Sequence, residues 1–153
     1  MSDSYICLVP IDPYVVPSPE SRSGIIAAVR RLFPDSDLID DVVSSGIQFI
    51  DCGSNLDSIT CCHCKAVISD GAWGDLMSID YKDSQQGFLL QAYQMPCCGT
   101  TARLCDLKYD FDIGFARFCI RIRNTNRLSN LPSAIAAIRT IFGIDIKPVY
   151  RHV

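Results

Sequence analysis

Two nine-residue stretches of this chain resemble each other: Ile25-Ile-Ala-Ala-Val-Arg-Arg-Leu-Phe33 and Ala134-Ile-Ala-Ala-Ile-Arg-Thr-Ile-Phe142. They align without gaps at an offset of 109 residues, and five of the nine aligned positions are identical. Apolar residues recur in both at the three- and four-residue spacing of an amphipathic helix. A helix-stopping residue follows each stretch directly, Pro34 in one case and Gly143 in the other. The two stretches therefore predict two similar helices, one near each end of the chain.

Each predicted helix lies between two strand-like segments. Tyr5–Val9 and Ile47–Ile50 flank the first helix, and Phe115–Ile122 and Ile144–Tyr150 flank the second. Within Phe115–Ile122 the alternation of a half-buried strand places Phe118, Ile120 and Ile122 on one face and Arg117, Cys119 and Arg121 on the other. Pro148 predicts an edge position for the last strand, because proline has no N–H to donate to a neighbouring strand. Two β-α-β units in one chain predict an α+β fold, a ferredoxin-like βαββαβ sandwich.

Residues 52–112 are then predicted to be an insertion between the second and third strands of a single domain that spans residues 1–153. The insertion contains one predicted helix, Asp70–Tyr81, and one predicted strand, Phe88–Tyr93. It also holds most of the nine cysteines of the chain. Clustered cysteines without a secretory signal are more typical of a metal site than of disulfides.

Two cysteine motifs within the insertion have the character of metal-binding loops. The first, Ser58-Ile-Thr-Cys-Cys-His-Cys-Lys65, contains a Cys-x-x-Cys spacing, and the second is Met95-Pro-Cys-Cys-Gly99. In a zinc knuckle a tight turn brings two sulfurs to one point and directs backbone N–H groups at the thiolates. Because Met95 stands where the first cysteine of a second knuckle is usual, a four-cysteine site needs both adjacent cysteines of that motif. The predicted ligands of one structural zinc ion are Cys61, Cys64, Cys97 and Cys98.

The cysteine pattern leaves alternatives open. Cys62 could replace Cys61 as a ligand, and His63 could be the fourth ligand if only one cysteine of the second motif binds. A redox pair at Cys61 and Cys64 is a further alternative, but Lys65-Ala-Val-Ile68 continues as a strand, whereas a thioredoxin-type pair begins a helix. Four cysteines stand outside the two motifs: Cys7 and Cys119, which fall in strands, Cys105, which we interpret as structural, and Cys52, which is undecided.

Several motifs of the chain resemble those of a family of small bacterial proteins that has no assigned function. The resemblance is carried by the two cysteine motifs, by Leu107-x-Tyr109-Asp110 and, most distinctively, by Gly114-Phe-Ala-Arg-Phe118, and it covers most of the chain. In that family the first loop usually reads Cys-Pro-x-Cys-Gly, whereas this chain has Cys61-Cys-His-Cys-Lys65. The resemblance implies a zinc-ribbon-like element, and it implies no activity.

The residues that hydrolytic or transfer chemistry needs are scarce. The chain has two histidines, His63 and His152, and a single glutamate, Glu20. A closed four-cysteine site also leaves no position for the water that a catalytic zinc activates. The sequence contains no phosphate-binding loop, dinucleotide-binding glycine motif or Gly-x-Ser-x-Gly motif. We therefore expect a binding protein and not an enzyme, with the single tryptophan, Trp73, in a core.

Charge is distributed unevenly along the chain, whose net charge is −3. Residues 1–51 carry eight acidic and three basic side chains, whereas residues 111–153 carry two acidic and seven basic ones. The simplest interpretation is that the two ends of the chain pack together and offset each other's charge. A mildly acidic chain is not typical of a dedicated nucleic-acid binder, so a nucleic-acid partner is not expected.

We expect a protein partner instead, with an acidic surface on this chain that complements a basic one. Small acidic bacterial proteins include toxin-neutralising immunity proteins, which occlude a basic toxin surface. The candidate partner-binding residues belong to an acidic segment that we interpret as a solvated turn: Asp35, Asp37, Asp40 and Asp41. One alternative is a nucleic-acid-binding zinc-ribbon protein that uses Arg117, Arg121 and Arg123 on one face of a strand. Another is a thiol redox or metal-sensing protein.

Membrane and export features are not evident in the sequence. No apolar run approaches the roughly 18 residues that span a bilayer. The first residues, Met1-Ser-Asp-Ser-Tyr-Ile-Cys7, lack the basic and apolar regions of a secretory signal. We therefore expect no membrane partner and a cytoplasmic location.

Overall fold

The long strands and two of the three described helices lie in the two ends of the chain, and the middle contains short strands and the third helix. The computed structural model describes residues 2–51, 53 and 58–152. The helices in these residues are α1 (Pro19–Leu32), α2 (Asp70–Asp80) and α3 (Leu131–Phe142). The strands are β1 (Ser4–Pro10), β2 (Leu38–Ile50), β3 (Ile59–Thr60), β4 (Val67–Ile68), β5 (Tyr93–Gln94), β6 (Thr101–Ala102), β7 (Lys108–Tyr109), β8 (Gly114–Arg123) and β9 (Ile146–His152).

The four long strands form one antiparallel sheet, the main sheet, in the spatial order β2-β8-β1-β9. The predicted edge position of the last strand is confirmed, since β9, with Pro148, pairs only with β1 among the described strands. Helices α1 and α3 pack on one face of this sheet, so the chain is a mixed α/β protein with antiparallel sheets, as the α+β prediction requires. The core between helices and sheet contains Ile6, Leu8, Ile25, Val29, Phe33, Ile39, Phe118, Ile120, Ile122, Leu131, Ala134, Ile138 and Ile146.

The two similar stretches form helices with matching buried faces. Ile25 and Val29 of α1 are buried, and so are Ala134 and Ile138, which occupy the same aligned positions in α3. Ser18 caps the start of α1, since its hydroxyl accepts the Ser21 N–H at 3.2 Å. The prediction of two equivalent helices is therefore confirmed.

The second long strand begins nine residues earlier than the sequence indicates. We predicted Ile47–Ile50, whereas β2 starts at Leu38 and crosses a register shift between Val43 and Gln48. The interpretation of the acidic segment as a solvated turn is therefore wrong for its second half, because Asp40 and Asp41 lie within β2. Aspartate is a poor strand former, but here a cross-strand partner compensates, since Asp40 lies directly opposite Arg121 of β8.

Ion pairs join the acidic N-terminal third to the basic C-terminal third, as the charge distribution predicts. The Arg121 guanidinium donates two hydrogen bonds to Asp40, at 2.9 and 2.5 Å. Arg123 pairs with Asp3 at 2.7 Å.

Asp35 accepts the backbone N–H of Asn126 and lies 3.6 Å from Arg127, and these interactions hold the pKa of Asp35 below its usual value. Asp37 accepts a hydrogen bond from the Asn124 side chain. Asp41 differs, because it pairs at 3.4 Å with Arg22 of the N-terminal third itself.

The chain between β2 and β8 builds a second core of its own. The first residues of β8 and the last of β2 form one wall of this core, and α2 and the short strands form the rest. The fully or nearly buried members are Ile47, Ile59, Cys61, Ile68, Phe88, Leu90, Met95, Ala102, Leu104, Leu107, Ile113 and Phe115. Trp73 packs against them, with its ring centroid 5.8 Å from that of Phe49 and its indole N–H donating to the Tyr109 hydroxyl. The expectation of a core tryptophan is confirmed.

The strand predicted at Phe88–Tyr93 is wrong in most of its length. Only Tyr93 belongs to a strand, β5, and Phe88 makes isolated bridges to Ile47 and Tyr81. The intervening residues turn away from an extended path, because Leu90 has a φ of +53°. The helix prediction nearby is confirmed within one residue, since α2 ends at Asp80 and Tyr81 caps it. Among the described residues, no helix is long and apolar enough to cross a membrane.

Candidate metal centre

Four cysteine sulfurs converge at one point beside the second core. The Sγ atoms of Cys61, Cys64, Cys97 and Cys98 all lie within 4.8 Å of one another. The Cys61 and Cys98 sulfurs are 3.8 Å apart, and the Cys64 and Cys97 sulfurs are 3.3 Å apart. Four sulfurs at about 2.3 Å from a tetrahedral metal ion would lie about 3.8 Å apart, so this quartet could hold such an ion. The structure thus brings together all four residues that the sequence predicts.

The first loop of the site is a tight turn between β3 and β4. The Cys61 N–H donates to the Ala66 carbonyl at 2.9 Å, and the Lys65 N–H donates back to the Cys61 carbonyl at 3.1 Å. This closure leaves the His63 N–H 3.4 Å from the Cys61 sulfur, which accepts it. The expected direction of backbone N–H groups toward a thiolate is therefore present.

The second loop, between β5 and β6, repeats the hydrogen bonding of the first. The Met95 N–H donates to Thr100 and the Gly99 N–H donates to Met95, at 2.9 and 2.8 Å. Met95 thus takes the structural place of Cys61, and Cys98 takes that of Cys64. Because Met95 is buried in the second core, it contributes packing where the first loop contributes a ligand. Cys97, at the place equivalent to His63, supplies the fourth sulfur.

The thiols of the quartet differ in proton affinity. The backbone N–H groups of Cys64 and His63 lower the pKa of Cys61 to about 6. Thr100, through its hydroxyl and its backbone, lowers the pKa of Cys98. The pKa of Cys97 rises to about 12, chiefly because its thiol is hydrogen bonded to the Cys64 sulfur. The site therefore favours negative charge on the sulfurs of Cys61 and Cys98 and disfavours it on that of Cys97.

The alternative ligands lie outside the quartet. The Cys62 side chain turns toward the second core, and burial raises its pKa. The His63 ring nitrogen Nε2 lies 2.9 Å from the Thr101 carbonyl. Burial also raises the pKa of Cys105, whose sulfur is near Asp106, while Cys7 and Cys119 are buried in the main sheet. Cys52 lies outside the described residues, so its assignment stays undecided.

A buried carboxylate that sequence reasoning missed holds the segment leading to the second loop. Asp80, at the end of α2, is fully buried. Its two oxygens accept the N–H groups of Leu90 and Gln91, at 2.8 and 3.0 Å, and the Tyr93 hydroxyl, at 2.9 Å. Burial and the bond to Asp80 raise the pKa of Tyr93 to about 12. An aspartate near a helix end has no sequence signature that distinguishes this role from an exposed position.

Both loops need a left-handed residue directly after their last cysteine. Gly99 supplies it in the second loop with a φ of +72°, whereas Lys65 has to adopt a φ of +66° in the first. A residue with a β-carbon is strained in this conformation by about 1 kcal/mol relative to glycine.

We expect Lys65→Gly to stabilise the protein by about 0.5–1 kcal/mol, because it removes this strain from an exposed position. Gly99→Ala is the matched opposite change. Its new β-carbon would meet no atom within 4 Å, so the expected loss of about 1 kcal/mol would come from backbone strain alone. Urea unfolding followed by Trp73 fluorescence measures both changes. A loss of stability in Lys65→Gly would contradict the assignment of strain to this turn.

Comparisons of this chain with family models, curated proteins and solved structures gave no match.

Proposed function

We propose that the cysteine quartet binds one zinc ion and that the ion is structural. The single observation that carries this proposal is the convergence of four sulfurs from two separate loops. Zinc accepts four thiolates in a tetrahedral arrangement, whereas magnesium and calcium prefer oxygen ligands. A centre with four protein ligands has no open position for substrate or water, which supports a structural role over a catalytic one.

We infer that the frame is ferredoxin-like and that the insertion is related to zinc ribbons. In chain order, the four long strands lie across the main sheet as second, third, first and fourth, with both helices on one face. That order is the one two interlocked β-α-β units produce. The two cysteine loops, each between a pair of short antiparallel strands, support the zinc-ribbon-like interpretation of the insertion.

We further propose that the chain is a protein-interaction module, with toxin-neutralising immunity proteins as the class that its size and acidity favour. The proposed docking surface is the outer edge of β2 from Leu38 to Val43, where β2 is the terminal strand of the main sheet among the described residues and offers backbone groups to a partner. Beyond it, residues 85–87 cover the edge at Ser45 to Ile47. Asp40 and Asp41 project to opposite faces of this edge, and Asp35 and Asp37 precede it. Their internal partners reduce the local negative charge, so electrostatic steering of a basic partner would be moderate.

We expect a double variant, Asp37→Asn with Asp41→Asn, to bind its partner more slowly than the unchanged protein. Both side chains are exposed and keep an oxygen acceptor, so folding should change by less than about 1 kcal/mol. Affinity capture from the native host would identify the partner, and association rates at several salt concentrations would then be measured. The rate should fall a few-fold and lose part of its salt dependence, because exposed charges act mainly on encounter.

A second double variant, Asp70→Asn with Asp75→Asn, is the matched control, because it removes two exposed charges from α2. The control should associate like the unchanged protein. If the β2-edge variant has an unchanged rate and salt slope, the acidic edge is not the interface.

A further inference from the structure

The face of the main sheet opposite the helices, which we call the second face, carries a buried cluster that includes Cys7 and Val149. Beside this cluster it presents rows of side chains that the strand register defines. Residues paired across antiparallel strands project to the same face. In one row Tyr5 of β1 lies between Arg151 of β9 and Arg123 of β8. In the next row Cys7 lies between Val149 and Arg121. An aromatic ring on a central strand thus has an arginine on each side.

A cavity of about 200 Å³ opens where these two rows meet. It is lined by Tyr5, Cys7, Arg121 and Arg151. A smaller cavity of about 140 Å³ at the end of the sheet shares Tyr5 and Arg151 with it. Both side chains are therefore accessible to a ligand from more than one direction.

Two arginines line this cavity, in spite of the acidic net charge of the chain. Arg121 is bound to Asp40 through Nε and Nη2, which fixes the guanidinium and leaves Nη1 for a ligand. Arg151 is exposed, and no carboxylate among the described residues pairs with it. Burial raises the pKa of the Cys7 thiol that lines the cavity. The charges of Arg151 and Arg121 oppose that rise, and the weaker effects of Asp40 and Asp51 add to it. Both guanidiniums thus act on the cavity itself.

We propose that this part of the second face binds a nucleotide unit, with its phosphate between Arg151 and Arg121 and its base stacked on Tyr5. Guanidinium groups bind phosphate oxygens in pairs, and an aromatic ring stacks on any base. Enclosed ligand pockets typically measure about 300–1,000 Å³, so this smaller cavity would admit the phosphate while the base lies at its edge. An acidic peptide would use the arginines but would have no need of Tyr5. The nucleotide unit is either free or part of a single strand. This site is separate from the zinc centre and adjoins the β2 edge through the Arg121–Asp40 pair.

The test uses the zinc-loaded protein with three probes: inorganic phosphate, AMP and a six-nucleotide single-stranded RNA of uridines. Binding is measured by titration calorimetry on the unchanged protein and on Arg151→Gln, Tyr5→Leu, Tyr5→Phe and Arg31→Gln. We expect AMP or the RNA to bind about tenfold more weakly to Arg151→Gln and to Tyr5→Leu. Tyr5→Phe keeps the ring, and Arg31→Gln changes an exposed arginine on the opposite side of the sheet, so both should bind normally.

The relative affinities decide between the two sources of the ligand. Equal affinity for AMP and for the RNA would assign the site to a free nucleotide, whereas tighter RNA binding would assign it to a single strand. The proposal is overturned if neither AMP nor the RNA binds at millimolar concentration. It is also overturned if phosphate binds as tightly as AMP, or if Tyr5→Leu and Arg151→Gln bind like the unchanged protein.

Discussion

Replacing Cys64 by serine is expected to remove the bound zinc and to unfold the insertion while the main sheet stays folded. The unchanged protein should contain about one zinc per chain, and Cys64→Ser should contain almost none after dialysis against a mild chelator. A structural zinc contributes roughly 10 kcal/mol or more to the folding of the segment that binds it, and this contribution depends on a complete set of thiolates. The effect on the insertion should therefore be larger than that of an ordinary surface substitution.

The expected survival of the main sheet follows from the separation of the two cores. The core under α1 and α3 contains no residue of the cysteine loops, whereas the second core includes Cys61 and Met95. Loss of the metal would release both loops and open that second core. Because Trp73 is the single tryptophan and packs there, its fluorescence reports on the second core. Far-ultraviolet circular dichroism reports mainly on α1 and α3.

Cys62→Ser is the control for Cys64→Ser, since it removes a sulfur from the same loop that does not belong to the quartet. It should retain about one zinc per chain. Equal zinc content in the two variants would refute the assignment of ligands. Loss of both the fluorescence and the dichroism signal in Cys64→Ser would show that the two cores do not fold separately.

The parts of the fold that the sequence predicts are those in which a local pattern decides the structure. The helices α1 and α3 have regular apolar faces and defined stops, and Phe118, Ile120 and Ile122 of β8 form one buried face. The start of β2 is different. Asp40 and Asp41 disfavour a strand locally. Asp40 is stabilised by Arg121, which lies 81 residues further along the chain, and Asp41 is stabilised by Arg22. A long-range pair such as Asp40 with Arg121 leaves no local sequence pattern, so the sequence predicts this strand only from Ile47 and not from Leu38.

In the candidate site, too, the features that a local pattern decides are predicted and those that depend on distant contacts are not. The spacing of the cysteines predicts all four members of the quartet, because a tight turn can bring such neighbours together only in a few ways. The choice of Cys61 over Cys62 depends on which residue closes the turn, and Lys65 does so in a conformation that glycine usually adopts. The irregular path of residues 88–92 depends on Asp80, whose partners lie on a different element. Neither feature is visible in residue spacing.

The largest effect of a single substitution away from the cysteines is expected at Asp80. Asp80→Ala would leave the N–H groups of Leu90 and Gln91 and the Tyr93 hydroxyl without their acceptor in a buried place. Each buried group that loses its partner costs about 1–3 kcal/mol, and part of this cost is recovered because the buried charge disappears as well. We expect a net loss of about 3–5 kcal/mol in the stability of the insertion.

A graded series separates the role of the carboxylate from that of simple packing. Tyr93→Phe removes one of the three hydrogen bonds and should cost about 1 kcal/mol. Asp75→Ala, on the exposed side of the same helix, should change stability by less than about 0.5 kcal/mol. Urea unfolding of the zinc-loaded proteins, followed by Trp73 fluorescence, gives the three values. If Asp80→Ala is no more destabilising than Tyr93→Phe, the backbone of residues 90 and 91 does not depend on this carboxylate. If the order is as expected, Asp80 fixes the approach of the second cysteine loop, and Asp80→Ala should also weaken zinc binding without removing any ligand.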